Sequence, residues 1–508
     1  MITKFGVGWL KPILISHELY QDSVLLRLRQ YYSGGIFVVF NKDWPLVAKF
    51  WRTDLSYITT LLQDGYDAKG PEPRDPASML RSYLLFLMTK PEIGLTEWVN
   101  EMRRIPYYAI LSGFEPGNLP GVGTFYDFFK RLWADSGNNL KPKKLIKRKR
   151  KPKKGKKGEK APTTTPGKVQ RLVEWMIRHA DRKSNLPSDR LFHFFQTQIL
   201  TVSANLGLLG DTNSLTVAGD GTPIVTSVYT RSKSTCNCRA QGLADCNHPR
   251  IYSQPDCNAG WDSARETYFN GYHLYMISAS DSHYDLPLYP RLQPASRHDA
   301  VSLVVSSVEF KQRFTLGTVD KMLLDAAHDA DAIYHLLDHQ NTEPFIDLNC
   351  RNKKNSKTIS DIQISPKGIP ICPIGLKMKS NGHDHLRHRN KWRCPRSCGT
   401  RCSCTTPCSN AKYGRTYYTN QSSNRRLFTK TSRNSEKWAL IYSRRSSVER
   451  SNKREKIDYK LESGRHRSTK MWYIRIYGIM MCQHMDAWYS FQKESFDELK
   501  PLILPQAS

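Results

Sequence analysis

The sequence predicts an α/β protein: a mixed sheet with flanking helices, preceded by a helical region and interrupted by a long aperiodic insertion. Three observations predict it. Short apolar runs alternate with helical patterns from about residue 214 to 349. Periodicity is lost from Cys350 to about Lys437, where Cys, Ser, Arg and Asn dominate. Helical patterning then resumes at Trp438. Strands and helices in such alternation bury both faces of a sheet under helices.

Residues 1–70 hold short apolar runs such as Gly35–Phe40 and no motif. Pro71–Lys90 reads as a loop and then a helix, with Pro76 near the start, where its missing N–H costs little. Further helices are expected at Thr96–Arg104 and Val122–Trp133, separated by Gly-Pro-rich turns. Three short helices with tight turns suit a helix-turn-helix-like DNA module and equally an ordinary helical subdomain. Helical patterns recur at Val169–Arg182 and Arg190–Leu206. Ser214–Gly219 reads as a strand ending at Asp220, and Gly271–Ser280 with Leu286–Leu292 as a strand and its return. His298–Phe314 reads as a helix, Val319–Leu324 as a buried strand ending at Asp325, Ala330–Leu337 as a helix and Pro344–Asn349 as a strand. A long helix is expected from Trp438 to about Leu461, then an apolar helix or strand-helix pair over Trp472–Phe491. The expected divisions are an N-terminal helical, DNA-binding region (1–140), a basic linker (141–167), a helical connector (168–211), a first catalytic part (212–349), a Cys-rich insertion (350–437) and a completing part (438–508).

Charge narrows the function. Across 508 residues, 77 Lys+Arg oppose 46 Asp+Glu, a formal net charge of +31. Lys141–Lys160 alone carries 13 Lys/Arg and one Glu, so the remainder is still about 31 − 13 + 1 = +19. That tract is a solvated linker, an arm that tracks phosphates, or both. The basic remainder calls for an anionic partner, with nucleic acid the default. No run approaches the roughly 18 apolar residues of a membrane span, and the N-terminus lacks a clean signal-peptide core. A cytoplasmic, nucleoid-associated, prokaryotic protein is expected, with no membrane partner. No Walker A pattern is present, so no nucleotide cofactor is expected.

Asp220 and Asp325 each follow an apolar strand, a position that also suits a turn former. Tyr442, Arg445, Glu449 and Lys456 stand at offsets 0, 3, 7 and 14. At about 100° per residue they share an arc of roughly 60° on one helix face. That face is either a solvated surface with an i,i+4 Arg–Glu pair or a carboxylate flanked by two cations and a phenol. Three carboxylates on different elements can bind two divalent cations through hard oxygen ligands, and basic flanks can hold a phosphodiester strand.

At these residues the sequence resembles the insertion-sequence DDE transposases. Tyr442-x2-Arg445-x3-Glu449-x6-Lys456 matches the Y-R-E-K signature at every position. VAGDGT around Asp220 resembles the first catalytic strand. The stretch from Gly271 to Ala300 resembles the hairpin after it, ending in a His298-Asp299 pair. LLDAAHDADAIYHLL resembles the second-Asp motif, with His328 where the family more often has an aromatic, and TEPFIDLN resembles the next strand. The helical segment around Asp75–Trp133 also resembles the region found ahead of this catalytic domain. The resemblance implies a ribonuclease-H-like core with an insertion before the Glu. It also implies Asp220, Asp325 and Glu449 as the catalytic, metal-binding triad for two Mg²⁺ or Mn²⁺ ions. Asp320, Asp329 and Asp331 compete with Asp325, which closes the apolar run. Tyr442, Arg445 and Lys456 would contact DNA. The implied activity is binding of terminal inverted repeats, phosphodiester hydrolysis and strand transfer by a homo-oligomer on double-stranded DNA. The alternatives are a metal-dependent nuclease of the same fold that does not join, and a non-catalytic zinc-containing DNA-binding protein.

Twelve cysteines remain. Cys236, Cys238, Cys246 and Cys257 form one group, with His248 nearby. Cys394, Cys398, Cys402, Cys404 and Cys408 form another, preceded by Cys372, His383, His385 and His388. No pair of CxxC knuckles appears. Soft thiolates in polar segments admit structural zinc, and equally free thiols in a variable loop.

Overall fold

The computed structural model describes residues 11–33, 39–67, 72–133, 166–183, 185–229, 254, 257–349, 357–359, 362–396, 404–405, 407–411 and 414–503. Its centre is a six-stranded sheet of β1 (Leu215–Val225), β2 (Asn258–Asp262), β3 (Thr267–Ala279), β4 (Pro287–Pro294), β5 (Val319–Leu324) and β6 (Glu343–Ile346). The order is β2-β3-β1-β5-β6, with β4 also paired to β3. β3 runs antiparallel to β1, β2 and β4, whereas β5 lies parallel to β1 and β6 parallel to β5. The mixed α/β core agrees with the ribonuclease-H-like expectation. The parallel strands are the ones read as continuous apolar runs: Leu215–Gly219 and Met322–Leu324 are buried, as parallel strands covered on both faces must be.

Helix Asp299–Arg313 covers β1, β3 and β4, helix Ser446–Ile457 covers β1 and β3, and helix Thr469–Phe491 lies on β4. Helix Pro76–Thr89 packs on that last helix as well. It begins as expected with Pro76 at the first turn, and the Asp75 carboxylate caps it by accepting from the Ala77 and Ser78 amides. Helices Leu95–Arg104 and Val122–Leu132 follow as expected, with an unforeseen helix, Pro106–Ser112, between them. Further helices occupy His17–Ser33, Trp44–Arg52 and Tyr57–Leu62, where the sequence offered no motif. The N-terminal helices share one continuous apolar core with the sheet.

Two expectations are corrected, and one pair of alternatives is decided. β1 does not end at Asp220 but runs on to Val225, because Gly221–Val225 keep pairing with β3. Trp472–Phe491 lies within one helix, Thr469–Phe491, with no strand. The helix expected from Trp438 to Leu461 is broken into Glu436–Tyr442, a 3₁₀ turn at Ser443–Arg445 and Ser446–Ile457. The Ser443 hydroxyl donates to the Leu440 carbonyl at 2.8 Å, a competing bond of the kind that bends helices.

Between β6 and helix Glu436–Tyr442 lie two small three-stranded sheets. They enclose a separate core of Ile362, Ile364, Ile369, Cys372, Met378, Trp392 and Phe428.

Candidate active site

The register of β1 on β5 pairs Ala218 with Leu323. Two residues further along parallel neighbours stand Asp220 and Asp325, so the two carboxylates meet at the sheet's centre. Burial, then the charges of Asp325 and Asp299, pushes the Asp220 carboxyl up to about 7. Asp325 caps the turn after β5, accepting from the Ala327 amide at 3.1 Å. Its Oδ1 also lies 2.5 Å from Nδ1 of His328, whose Nε2 is 3.0 Å from the Tyr275 hydroxyl. Burial acts to raise the Asp325 carboxyl, but the His328 hydrogen bond and charge outweigh it and hold it below its ordinary value. Burial and the surrounding Asp220, Asp299 and Asp325 carboxylates raise the Tyr275 phenol well above its usual range.

Asp299, at the start of helix Asp299–Arg313, joins this group. Its Oδ1 lies 2.9 Å from His273 Nε2, and although burial acts to raise the Asp299 carboxyl, the contact with His273 outweighs it and holds the carboxyl below its ordinary value. Gly221 makes the approach possible: a Cβ there would fall 2.1 Å from Asp299 Oδ1 and 2.3 Å from the His273 ring. Sequence reasoning noted Asp299 only as half of a His-Asp pair with His298. Its contact is instead with His273, while His298 caps the helix by accepting from the Ala300 amide.

Glu449 projects from the first turn of helix Ser446–Ile457 and is half-exposed, 2.8 Å from Arg445. The Arg445 guanidinium is opposed by burial, yet Glu449, Tyr442 and Asp220 together raise its pKa. Arg445 thus links Glu449 to the Asp220 side of the cluster. Tyr442 stacks on Trp438 at 4.4 Å and donates to the Leu324 carbonyl at 3.2 Å, bracing the residue before Asp325. Lys456 stands apart: it pairs with Glu462 at 3.4 Å, and Glu462 accepts from the Val225 amide at the far end of β1. The break at Ser443–Arg445 removes the single arc, and the flank of two cations reduces to Arg445.

What fixes the Glu449 helix was not legible. Arg450 clasps Asp285 through two bonds of 2.6 and 2.7 Å, Arg444 pairs with Asp281, and Ser447 meets Ser280 at 3.0 Å. All three anchors lie at the β3–β4 turn, and only tertiary pairing reveals them. The competing acids are engaged elsewhere. Asp329 is buried against Arg426, Asp320 accepts from Ser214 and pairs with Lys321, and Asp331 begins helix Asp331–His339.

Among the described residues no three His, Cys, Asp or Glu side chains converge closely enough to hold a metal ion. Asp220 and Asp325 nonetheless suit one. They are hard oxygen donors whose mutual repulsion a divalent cation would relieve. Cys236, Cys238, Cys246, His248, Cys398, Cys402 and the Lys141–Lys160 tract lie outside the described residues. Cys257, Cys372 and Cys394 are buried, and Cys408 is exposed.

A family model described as the transposase DDE domain matches residues 226–484, just over half of the chain. The chain belongs to that family, and the class defined by fold and family is the DDE transposases of insertion sequences. The match contains Asp325 and Glu449 and begins six residues after Asp220. No curated protein matches the chain. Among the described residues, no helix is long and apolar enough to cross a membrane.

Proposed function

We propose that this transposase, of the Y-R-E-K signature class, binds the terminal inverted repeats of its own element, cuts a phosphodiester there and joins the freed end to target DNA. The observation that carries the reading is the meeting of Asp220, on β1, with Asp325, at the end of the parallel β5, where burial and then the neighbouring acids push the Asp220 carboxyl up to about 7. Asp220, Asp325 and Glu449 would hold two Mg²⁺ or Mn²⁺ ions, which when bound activate the nucleophile and stabilise the leaving oxygen. Glu449 completes this donor set on leaving Arg445, and Arg445 then meets a DNA phosphate in its place. Lys456 takes a second phosphate on release from Glu462, and Tyr442 holds the end of β5 in position. In the first step water oxygen bonds to phosphorus, the P–O3′ bond breaks, and a proton goes to the 3′ oxygen. In the second step the oxygen of that 3′-OH bonds to a target phosphorus and gives up its proton, the target P–O3′ bond breaks, and the departing target 3′ oxygen takes up a proton. Bond energy is conserved, so no nucleotide is consumed. A homo-oligomer on the two ends would place both cuts together. Structural zinc at the Cys394–Cys408 group would supply folding free energy to a segment with a small core. Less than one zinc per chain by elemental analysis overturns that part.

The test uses a plasmid carrying the gene with both flanks and the full chain in Mg²⁺ or Mn²⁺. Wild type should yield 3′-OH ends and joined products. Asp220→Asn, Asp325→Asn and Glu449→Gln should each lower both by orders of magnitude while DNA binding persists. Cutting without joining would favour a nuclease. Full strand transfer by Glu449→Gln would remove Glu449 from the triad.

A further inference from the structure

A groove of about 570 Å³ opens between helix Lys168–Arg178 and strand β4. Its walls carry Lys168, Arg171, Arg291 and Arg297, with no acidic residue among those lining it. Glu309 answers Arg291 at 3.1 Å, but Lys168, Arg171 and Arg297 form no ion pair among the described residues. Trp175 also lines the groove, 49% exposed, its ring stacked on His179 at 4.6 Å. A large aromatic left half in water beside unpaired cations is the combination that binds single-stranded nucleic acid. The cations track phosphates, and the ring offers a face to any base.

The groove also lies next to the acids. Arg297 stands two residues before Asp299, and Gln293 of the groove pairs across the sheet with His273, the Asp299 partner. In sequence, the Lys-rich tract ends at Lys160, eight residues before Lys168. We propose that this groove holds one DNA strand beyond the acid cluster, its phosphates on Lys168, Arg171 and Arg297 and one unpaired base on Trp175. The inference rests on the DNA-processing reading above and adds the path that a separated strand takes away from the cut.

The experiment compares the full chain with a Lys168→Ala/Arg171→Ala/Arg297→Ala variant, and with Trp175→Ala and Trp175→Phe. The probe is an element-end duplex carrying a single-stranded 3′ extension, with the blunt duplex as reference. Loss of about three phosphate contacts should make the slope of log K against log salt shallower by about 2 on the extended probe. Trp175→Ala should weaken binding of the extended probe about tenfold, Trp175→Phe much less, and neither should change blunt-duplex binding. A 5-iodouracil in the extension should photocross-link to Trp175. Equal affinity and slope for the triple variant and wild type on the extended probe overturns the groove. So does a loss equal on both probes, which would mark a duplex contact. Unchanged thermal unfolding of these surface variants keeps the comparison valid. Wild type that neither binds nor cuts element ends would instead remove the underlying reading.

Discussion

Asp325 is oriented from behind by His328. The imidazole is fully buried and bridges the carboxylate and the Tyr275 phenol, so each ring nitrogen has one partner. Held at both ring nitrogens, the imidazole keeps the Asp325 carboxylate in one orientation. Ligand-orienting partners of this kind govern metal affinity by roughly 10–100-fold. His328→Phe should therefore raise the Mg²⁺ concentration for half-maximal cleavage by about that factor and leave DNA affinity intact. Tyr275→Phe should do the same more weakly, and His328→Gln should recover part of the loss. A merely structural His328 would lower the melting temperature without moving the Mg²⁺ half-saturation. The identities of Asp220 and Asp325 were legible because each stands beside a buried apolar run. His273 and Tyr275 were not singled out as site residues, because nothing in linear spacing shows that β3 brings them against the acids; His328, three residues after Asp325, stood out only as a departure from the family's pattern.

At the scale of elements, strands and helices were legible where one periodicity ruled: Val319–Leu324 matches its expected bounds, and Pro76–Thr89 its Pro-marked start. The Glu449 helix was legible only in part. A uniform 100° step placed four residues on one face, but the Ser443–Arg445 turn keeps only the Arg445–Glu449 pair together. The same helix buries Glu455, whose Oε2 has no hydrogen-bond partner. Burial pushes its carboxyl up to about 8, with Arg454 and Gln483 opposing. The sign follows from linkage. The folded state binds this proton more tightly than the unfolded state, so stability falls as pH rises from about 4.5 to about 8 and then levels. The penalty at the upper end is on the order of a few kcal/mol. Glu455→Gln should match wild type in thermal unfolding near pH 4.5 and exceed it increasingly towards pH 8. A gap between the two melting temperatures that is flat with pH would mean Glu455 keeps its ordinary pKa.

At the scale of the molecule, the N-terminal helices and the catalytic sheet are bound by one core, and a buried arginine ties their ends together. The apolar part follows from shape: a Cβ at Gly478 would fall 2.6 Å from Leu87 and 3.2 Å from Tyr83, so the two long helices cross at closest approach there. The polar part is Arg475, 1% exposed. Its guanidinium donates to the carbonyls of Pro91, Lys460 and Leu461 and to the Ser463 hydroxyl, at 2.8 to 3.1 Å. Among the described residues no carboxylate forms an ion pair with it; burial lowers its pKa against the opposing pull of Tyr83 and Glu92, and the carbonyls carry the compensation. One side chain thus holds the loop after helix Pro76–Thr89 against the segment that leaves the Glu449 helix. Arg475→Ala would remove four hydrogen bonds and open a void, at a cost of about 3–5 kcal/mol. If the shared core makes the N-terminal region and the catalytic sheet one cooperative unit, calorimetry of the variant should show a single transition moved to lower temperature. The fluorescence of Trp98, in the N-terminal helices, and the circular dichroism of the whole chain should then fall together. Two transitions, with only the Trp98 signal moved, would mean that the helical region is a separately stable module resting on the catalytic domain.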